Sequence, residues 1–241
     1  MEEVKSEELK FSSKEIKKAI NFAGGFPEKN HLEENSEYTQ RENYWSSLTK
    51  SLRESVLKGE LSWEQYDQIQ GSLVAAKEWL SGHDALTGLP NRRTYQEALE
   101  REIANAERYG QPLSLLIIDV DKLKEWNDED ETHQLGDLAI KKTAIKVEES
   151  VRINDLVARW GGDEFAVILP HADLKTAIEI SQRILNKVKE TEPLTPAGKK
   201  LAVSIGIREY QNEGPDKFFG KADGAAYQAK KSEQKFVIAE D

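Results

Sequence analysis

The chain has 241 residues, enough for one large domain or for one domain with a smaller module. Charged residues make up 32% of it and the formal net charge at pH 7 is −10, which argues against nucleic acid or an anionic membrane as a general partner because both select basic surfaces. There is no cysteine, so disulfides, thiol nucleophiles and cysteine-ligated metals are excluded.

Nothing in the sequence predicts a membrane segment or an export signal. No apolar run approaches the roughly 18 residues that a membrane-spanning helix needs. The N-terminus, Met1 to Lys5, is acidic and lacks an apolar core, unlike a signal peptide. Together with the lack of cysteine, these features lead us to expect a cytoplasmic protein.

The first eighty residues predict helices. Capping-box patterns at Ser12 to Glu15 and at Ser62 to Gln65 each precede apolar residues at helical spacing, and a further helix is predicted from about residue 42 to 58. The helix that starts near Ser62 carries apolar residues at alternating steps of three and four: Tyr66, Ile69, Leu73, Ala76 and Leu80. This spacing is that of a coiled-coil seam, over about two heptads. The alternative to a coiled coil is an ordinary amphipathic helix packed on its own domain. We predict that residues 1–80 form a small all-α regulatory or dimerisation region and that residues 81–241 form the main domain.

The main domain begins with a turn and a helix, predicted from Asn91 to about Arg108. A nearly continuous apolar run, Leu113 to Ile118, then predicts a buried strand. The strand ends in Asp119-Val120-Asp121. Carboxylate and carbonyl oxygens are the ligands that hard cations such as Mg²⁺ prefer, so this strand end is a candidate metal site, although aspartates are also common at strand ends and helix caps.

Two lysines follow this strand end. Lys122, Leu123 and Lys124 are predicted to open a short helix, whose free amides together with Lys124 would make an anion site. A polar loop leads to a second helix, predicted from Leu138 to Val151 with Ile140, Ala144 and Val147 inward.

Residues 156–169 predict a β-hairpin. Apolar runs flank Gly161 and Gly162, and glycines at a bend let a large anionic ligand approach the backbone closely. Asp163 and Glu164 follow, and the alternation of side chains along a strand predicts that they face opposite sides. A surface hairpin with two solvated acids is the plain alternative.

The rest of the chain alternates between helices and strands. We predict a helix over 172–190, a strand over 201–207, a helix over 221–230 and a last strand over 236–239. One hairpin among irregularly alternating strands and helices predicts an α+β architecture, in which a central sheet is covered by helices.

Three motifs of the C-terminal part occur in a fixed order: the segment Asp84 to Arg93, the acids Asp119 and Asp121, and the segment Gly161 to Phe165. They resemble the GGDEF family of diguanylate cyclases, over roughly residues 83–240. The resemblance implies the palm-like sheet of nucleotide cyclases and an enzyme that condenses two GTP into cyclic di-GMP and two pyrophosphates. It also implies Mg²⁺ or Mn²⁺ as cofactor, a homodimer because one domain binds one GTP, and feedback inhibition by the product.

The resemblance assigns roles by position. It places the metal on Asp119, the carbonyl of Val120, and Glu164, and catalysis on Asp163 and Glu164. Phosphate contacts fall on the backbone of Lys122 and Leu123 and on the side chains of Lys124 and Lys230. Guanine contacts fall on Asn127 and Asp137, and Gly161 and Gly162 let the nucleotide approach the backbone closely. The inhibitory site falls on Arg152 and Asp155.

The sequence departs from the family pattern in two places. The loop from 127 to 137 has one residue more than usual, and Thr132 replaces a glycine. After Lys230 the usual Gly-Arg-Asn is missing, so Gln234 takes the arginine position and Lys235 follows it. These changes favour a second hypothesis, a non-catalytic receptor that binds cyclic di-GMP or GTP and signals to a partner, whereas the intact Gly161 to Phe165 motif favours the enzyme. A cyclase with another base preference is a further alternative, against which Asp137 argues.

Overall fold

A computed structural model of the chain describes residues 62–64, 66, 67, 70, 71, 79, 81–128, 134–195 and 198–240. The chain divides into two units, Met1–Leu73 and Val74–Asp241, and every element named below belongs to the second. The helices predicted before residue 62 and most of the predicted coiled-coil seam lie outside the described residues. The regulatory role of residues 1–80 therefore stays a prediction.

From Arg92 onwards, the described residues of the second unit form five helices and five strands. In chain order they are α1 (Arg92–Tyr109), β1 (Leu113–Val120), α2 (Leu123–Asp128), α3 (Gln134–Glu148), β2 (Leu156–Gly161), β3 (Glu164–Pro170), α4 (Leu174–Lys189), β4 (Val203–Glu209), α5 (Pro215–Ala229) and β5 (Phe236–Ile238). No described helix has both the length and the apolar character needed to cross a membrane.

Local chemistry sets several of these ends. The side chain of Asn91 accepts from the Thr94 N–H at the start of α1, and Gly110 ends that helix in the left-handed region with φ 62°. Asp173 caps α4 in the same way, and Pro215 stands in the first turn of α5, where its missing N–H costs nothing. The helix ends therefore follow from residues that the sequence places there.

The five strands form one sheet in the order β2-β3-β1-β4-β5. The pairs β2–β3, β3–β1 and β1–β4 are antiparallel, and β4–β5 is parallel. The central strand β1 is buried along its whole length. The predicted α+β architecture is confirmed, including the hairpin of β2 and β3.

Helices cover both faces of the sheet, and β1 serves both cores by alternation. Leu116, Ile118 and Val120 pack with α3 and α4 on one face. Leu113, Leu115 and Ile117 pack with α1 and α5 on the other. Residue 119 therefore shares the face that α1 and α5 cover, which decides what surrounds it.

Two details of the predicted helices are wrong. Helix α5 begins at Pro215, earlier than the predicted residue 221, and the buried Phe218 extends its apolar face towards the N-terminus. In α4 the sequence predicts Leu174, Ile178, Leu185 and Val188 as the inward residues, and of these only Val188 is buried. The other buried apolar residues are Ala177, Ile180 and Ile184. The prediction relied on the large apolar side chains of this helix, whereas the small side chain of Ala177 lets the helix approach the sheet closely.

Tyr95 offers a test of the second core. It is fully buried against Trp160 and Phe219, and its hydroxyl has no hydrogen-bond partner among the described residues. Tyr95→Phe keeps the ring and removes an uncompensated polar group, so we expect the free energy of unfolding to rise by about 1 kcal/mol in urea denaturation. Tyr95→Leu, which loses the aromatic contacts, should lower it. A loss of stability in Tyr95→Phe would show that the hydroxyl has a partner after all.

Candidate active site

The sheet brings two of the predicted acids together. Asp119, next to the end of β1, lies directly opposite Glu164, the first residue of β3, in the antiparallel register. Directly opposite residues have Cβ atoms about 5 Å apart. Both residues lie on the face of the sheet that α1 and α5 cover. Residues two apart in a strand share a face, and Ile117 and Ala166 belong to the core on that face. Two residues 45 positions apart in the chain thus form one acidic edge.

Lys230 joins this edge from α5. Its Nζ lies 2.8 Å from Asp119 Oδ2, and the side chain of Asp119 is 8% exposed. Lys230 is the C-terminal cap residue of α5, and this helix covers the face to which Asp119 belongs. The structure therefore places Asp119, Glu164 and Lys230 in one group. The metal and phosphate roles that the resemblance assigns to them stay predictions.

The acids of this group resist ionisation. Burial raises the pKa of Asp119, the hydrogen bond from Lys230 opposes the rise, and the charge of Asp163 adds to it. Burial also raises the pKa of Glu164, and so do the charges of Asp223 and Asp119. Burial lowers the pKa of Lys230, but its bond to Asp119 outweighs that and holds this pKa above its usual value. A paired acid normally has a lowered pKa, so the raised pKa of Asp119 means that the bond to Lys230 does not offset burial together with the charge of Asp163.

The glycine turn fixes the position of Asp163. Gly162 has φ 48°, a left-handed conformation that favours glycine. The carbonyl of Asp163 accepts from the Val120 N–H at 3.0 Å, which ties the turn to the end of β1. Strand β3 begins only at Glu164, so the alternation predicted for Asp163 and Glu164 does not apply. Asp163 acts electrostatically on Asp119 and Glu164 alike.

Arg159 is a residue of this site that the sequence analysis missed. Its Nη1 lies 3.0 and 3.1 Å from the two carboxylate oxygens of Asp84, and its Nε and Nη2 donate to the Gly162 carbonyl at 3.1 and 2.7 Å. One planar guanidinium therefore joins the turn before α1 to the tip of the hairpin. The two partners of Arg159, Asp84 and Gly162, both belong to motifs that the sequence analysis singled out. No local spacing, however, indicates a contact between residues 75 positions apart.

Arg159→Met should show what this link contributes. The pair is mostly buried, with 12% and 23% of the side chains exposed, so we expect the free energy of unfolding to fall by about 2 kcal/mol at pH 7. Burial raises the pKa of Asp84, but the Thr87 hydrogen bonds and the Arg159 charge outweigh it and hold this pKa below its usual 3.8.

The pH dependence of that loss follows from the lowered pKa. A carboxyl with a lowered folded-state pKa stabilises the fold above its usual pKa, and the contribution disappears as the pH falls through the folded-state value. The difference between wild type and Arg159→Met should therefore shrink below pH 3.8 in urea denaturation. Arg101→Met, which removes a guanidinium whose side chain is 66% exposed, is the control and should change little. A pH-independent difference would contradict the ion-pair explanation.

The nucleotide-reading positions are only partly described. Lys122 has φ 59°, and Leu123 begins α2, which is six residues long. Asn127 lies in α2, but its side chain is not among the described ones. Asp137 lies exposed in the first turn of α3. Residues 129–133, which include His133, lie outside the described part of the chain, so the guanine assignment stays a prediction.

Arg152 and Asp155 form a tight local turn. The Arg152 N–H donates to Asp155 Oδ2 at 2.7 Å, and the Asp155 N–H donates to the Arg152 carbonyl at 3.0 Å. Burial raises the pKa of Asp155, while the Arg152 N–H and guanidinium oppose the rise. The turn precedes β2, whose other end is Gly161. The predicted inhibitory site and the acidic edge thus lie at opposite ends of one strand.

The residues at the acidic edge fit a divalent cation with oxygen ligands. No group of three or more His, Asp or Glu side chains is arranged to hold a metal within the described residues. The predicted set needs only two carboxylates and a carbonyl, and Asp119 and Glu164 stand directly opposite each other, with the charge of Asp163 acting on both. Hard cations that keep several waters are commonly held by one or two carboxylates.

The comparison with known proteins covers most of the chain. Residues 81–235 match the family described as "Diguanylate cyclase, GGDEF domain". The diguanylate cyclase DosC of Escherichia coli is 40% identical over 153 residues, which are 62% of this chain and 33% of DosC. The chain thus spans about a third of the length of this curated relative.

Solved structures extend the comparison to the fold. The GGDEF domain of DgcB from Caulobacter crescentus, solved with c-di-GMP, has a TM-score of 0.62 and 28% identity over 67% of this chain and 94% of that one. Diguanylate cyclase SiaD of Pseudomonas aeruginosa, solved with its activator SiaC, has a TM-score of 0.62 and 29% identity over 93% of this chain and 84% of that one. The sheet and its helices are therefore similar to those of these two proteins.

Proposed function

This chain belongs to the GGDEF family of diguanylate cyclases, and from that premise we propose that it condenses two GTP into cyclic di-GMP and two pyrophosphates. The observation that carries the proposal is the strand register that sets Asp119 against Glu164, with the ammonium of Lys230 at 2.8 Å from Asp119. A paired acidic edge beside a lysine suits phosphoryl transfer, which needs charge neutralisation and positioning more than covalent chemistry.

The reaction consists of two identical displacements. The 3′-hydroxyl of one GTP attacks the α-phosphorus of the other, a P–O bond forms, and the bond to pyrophosphate breaks. A second attack in the opposite sense closes the ring. Asp163, fixed at the turn by its carbonyl bond to Val120, would accept the proton of the attacking hydroxyl or orient it.

Asp119, the carbonyl of Val120, and Glu164 would hold Mg²⁺ or Mn²⁺. When bound, the cation supplies positive charge to the phosphate oxygens as negative charge develops on them. The register that sets Asp119 opposite Glu164 supports this role. Burial raises the pKa of both acids most, and neighbouring carboxylates add to the rise, a like-charge repulsion that a bound cation would relieve.

The nucleotide would be held by groups around this edge. The lysines Lys124 and Lys230 and the amides of Lys122 and Leu123 would bind the triphosphate. Gly161 and Gly162, which carry no side chain, would let it approach the hairpin backbone. Asn127 and Asp137 would select guanine, because a carboxylate accepts from guanine N1–H and N2–H₂ together and adenine offers no such pair.

One domain offers one such edge, so two chains must face each other for both attacks. We infer a homodimer in which residues 42–80 of the two chains pair. The heptad-like spacing from Tyr66 to Leu80 supports this. Removing residues 1–80 should lower the specific activity at dilute protein, measured as product formed over a range of protein concentrations.

The direct test is incubation of the purified chain with GTP and Mg²⁺, followed by nucleotide chromatography. We expect cyclic di-GMP and pyrophosphate in a 1:2 ratio, no product when the metal is chelated, and no cyclic product from ATP. Absence of product from GTP at any metal concentration, in a folded and dimeric sample, would refute the proposed activity.

Arg152 and Asp155 support product inhibition, since an arginine and an acid in one exposed turn can bind the phosphate and the guanine edge of cyclic di-GMP. Arg152→Ala should raise the concentration of cyclic di-GMP that halves the rate by about tenfold, a typical effect of losing one charged contact. Initial rates with added product measure this. Unchanged inhibition would place the inhibitory site elsewhere.

The second candidate is a receptor that binds cyclic di-GMP or GTP without turnover. The longer loop over 127–137 and the missing Gly-Arg-Asn after Lys230 favour it. Calorimetry with cyclic di-GMP separates the two: a receptor binds the product and makes none from GTP. The intact acids Asp119, Asp163 and Glu164, which a receptor does not need, favour the enzyme.

A protein activator is the candidate input for this chain. SiaD was solved with its activator SiaC, and its likeness covers 93% of this chain, beyond the segment that the family match spans. We propose that a comparable partner acts through residues 1–80. Rates with and without purified SiaC, for the full chain and for residues 81–241, test this, and an equal response of both chains would contradict it.

A further inference from the structure

A second lysine lies beside the first at the acidic end of β1. The Nζ of Lys235 is 3.0 Å from Asp121 Oδ2, as that of Lys230 is 2.8 Å from Asp119 Oδ2. The side chains of the two aspartates are 10% and 8% exposed, so neither is a solvated surface group. Each acid of this strand end thus has its own ammonium, and both ammoniums come from the connection between α5 and β5.

Asp121 ties three strands together. Its Oδ1 accepts from Ser204 Oγ of β4 at 2.6 Å, and its N–H donates to the Ala202 carbonyl at 2.9 Å. Its other oxygen holds Lys235, whose own carbonyl accepts from the Ile205 N–H at 2.9 Å just before β5. The carboxylate of Asp121 therefore fixes how the chain leaves β1.

The chain leaves β1 through a strained turn. Lys122 has φ 59°, which a non-glycine residue rarely adopts and which persists only where the surroundings hold it. Asp121 directly precedes it, and Leu123 begins α2 directly after it. The backbone groups at Lys122 and Leu123 are those proposed to receive phosphate, so their position depends on the hold on Asp121.

Lys235 connects this turn to the other lysine. Its Nζ is also 3.3 Å from the carbonyl of Lys230, the cap residue of α5. One ammonium therefore contacts both Asp121 and the residue that bears the second ammonium. The charged side chain of Lys235 therefore holds the end of β1 close to the end of α5.

We propose that Lys235 is a positioning residue for the nucleotide: through Asp121 it holds the turn at Lys122 in the geometry that receives the triphosphate. This role offsets the loss of an arginine at Gln234 without a direct phosphate contact from Lys235. The inference rests on the proposed use of GTP. It distinguishes Lys235 from Lys124 and Lys230, which would contact phosphate themselves.

The test begins with steady-state kinetics of the full chain. Lys235→Met should raise KM for GTP about tenfold and change kcat less than about threefold, because it disturbs binding and not the reacting groups. Lys235→Arg keeps a donor for Asp121 and should restore KM to within about threefold of wild type. Lys231→Met removes the same charge from an exposed neighbour that lies 5.1 Å over the Tyr227 ring, and should leave KM unchanged.

A double-mutant cycle decides whether Lys235 acts through Asp121. The measured quantity is the Kd of a GTP analogue with a methylene bridge between the α- and β-phosphorus, which cannot react. In an Asp121→Asn background, Lys235→Met should change this Kd less than about twofold, because the path is already broken. A lysine that touches phosphate directly gives effects that multiply, and a lysine with a purely structural role lowers Tm and leaves Kd unchanged.

Either of those two results would overturn the inference. If Asp121→Asn does not fold, Ser204→Ala removes the other partner of Asp121 and should raise the same Kd, and an unchanged Kd there counts against the inference as well. The outcome is separable from that of the proposed function. A chain that makes no cyclic di-GMP from GTP refutes the activity, while the binding cycle still reports on Lys235.

Discussion

Glu164→Gln is expected to lower cyclic di-GMP synthesis roughly a thousandfold, since losing one of two carboxylates that hold a divalent cation removes several kcal/mol of charge stabilisation. The same change should leave the fold intact or stabilise it. Burial and the charges of Asp223 and Asp119 raise the pKa of Glu164, so the charge of this carboxylate costs more in the folded protein than in the unfolded chain. The neutral amide has the same shape without the charge.

The two effects are measured separately, by initial rates with GTP and by thermal unfolding without metal. Glu209→Gln is the matched control, because Glu209 is also a terminal residue of a strand but lies opposite Ser114, at the other end of β1. It should change neither activity nor Tm appreciably. Normal synthesis by Glu164→Gln would refute the assignment of the metal to this edge, and a large fall in Tm would show that its carboxylate stabilises the free protein.

Gly206→Ala is expected to destabilise the domain by about 3 kcal/mol or more, the upper range for overpacking in a core. A Cβ at Gly206 would lie 2.0 Å from the Ala222 carbonyl oxygen and 2.3 Å from the Ala226 nitrogen, both backbone atoms of α5. Backbone cannot rotate away as a side chain does, so α5 must move off the sheet. Because α5 carries Lys230 to Asp119, the same shift should weaken the acidic edge and lower activity in the molecules that still fold.

Urea denaturation measures the loss of stability. Gly224→Ala is the control. Gly224 lies in α5, the helix that packs on Gly206, and a Cβ there meets nothing within 4 Å. In a helix interior that substitution should add about 0.5–1 kcal/mol of stability. Equal effects at the two positions would contradict the close approach of α5 to β4.

Much of the site was predictable because its residues sit in short motifs with a local cause. The apolar runs around Gly161 and Gly162 predicted the hairpin, and the run from Leu113 predicted the strand that ends at Asp119. The alternation argument for Asp163 and Glu164 did not apply, because the turn extends one residue further than the motif suggests. Strand periodicity holds only within a strand.

The contacts across the chain were not predictable in the same way. Arg159 with Asp84, and Asp121 with Ser204 and Lys235, are separated by 75, 83 and 114 positions, and no pattern of residue types marks such pairs. In the sequence, Gly206 is only one glycine within a predicted strand. In the structure, its lack of a side chain sets the distance between β4 and α5. Each of these depends on which elements become neighbours.

The order of residues along the chain by itself determined the elements, the family and the chemical types available to the site, because periodicity, caps and motifs act over a few positions. Only the tertiary structure decided that Asp119 faces Glu164, that Lys230 forms an ion pair with Asp119, and that Lys235 reaches Asp121. The physical reason is that register, the face on which α5 packs, and the burial of these acids arise from the packing of distant segments, which local sequence does not encode.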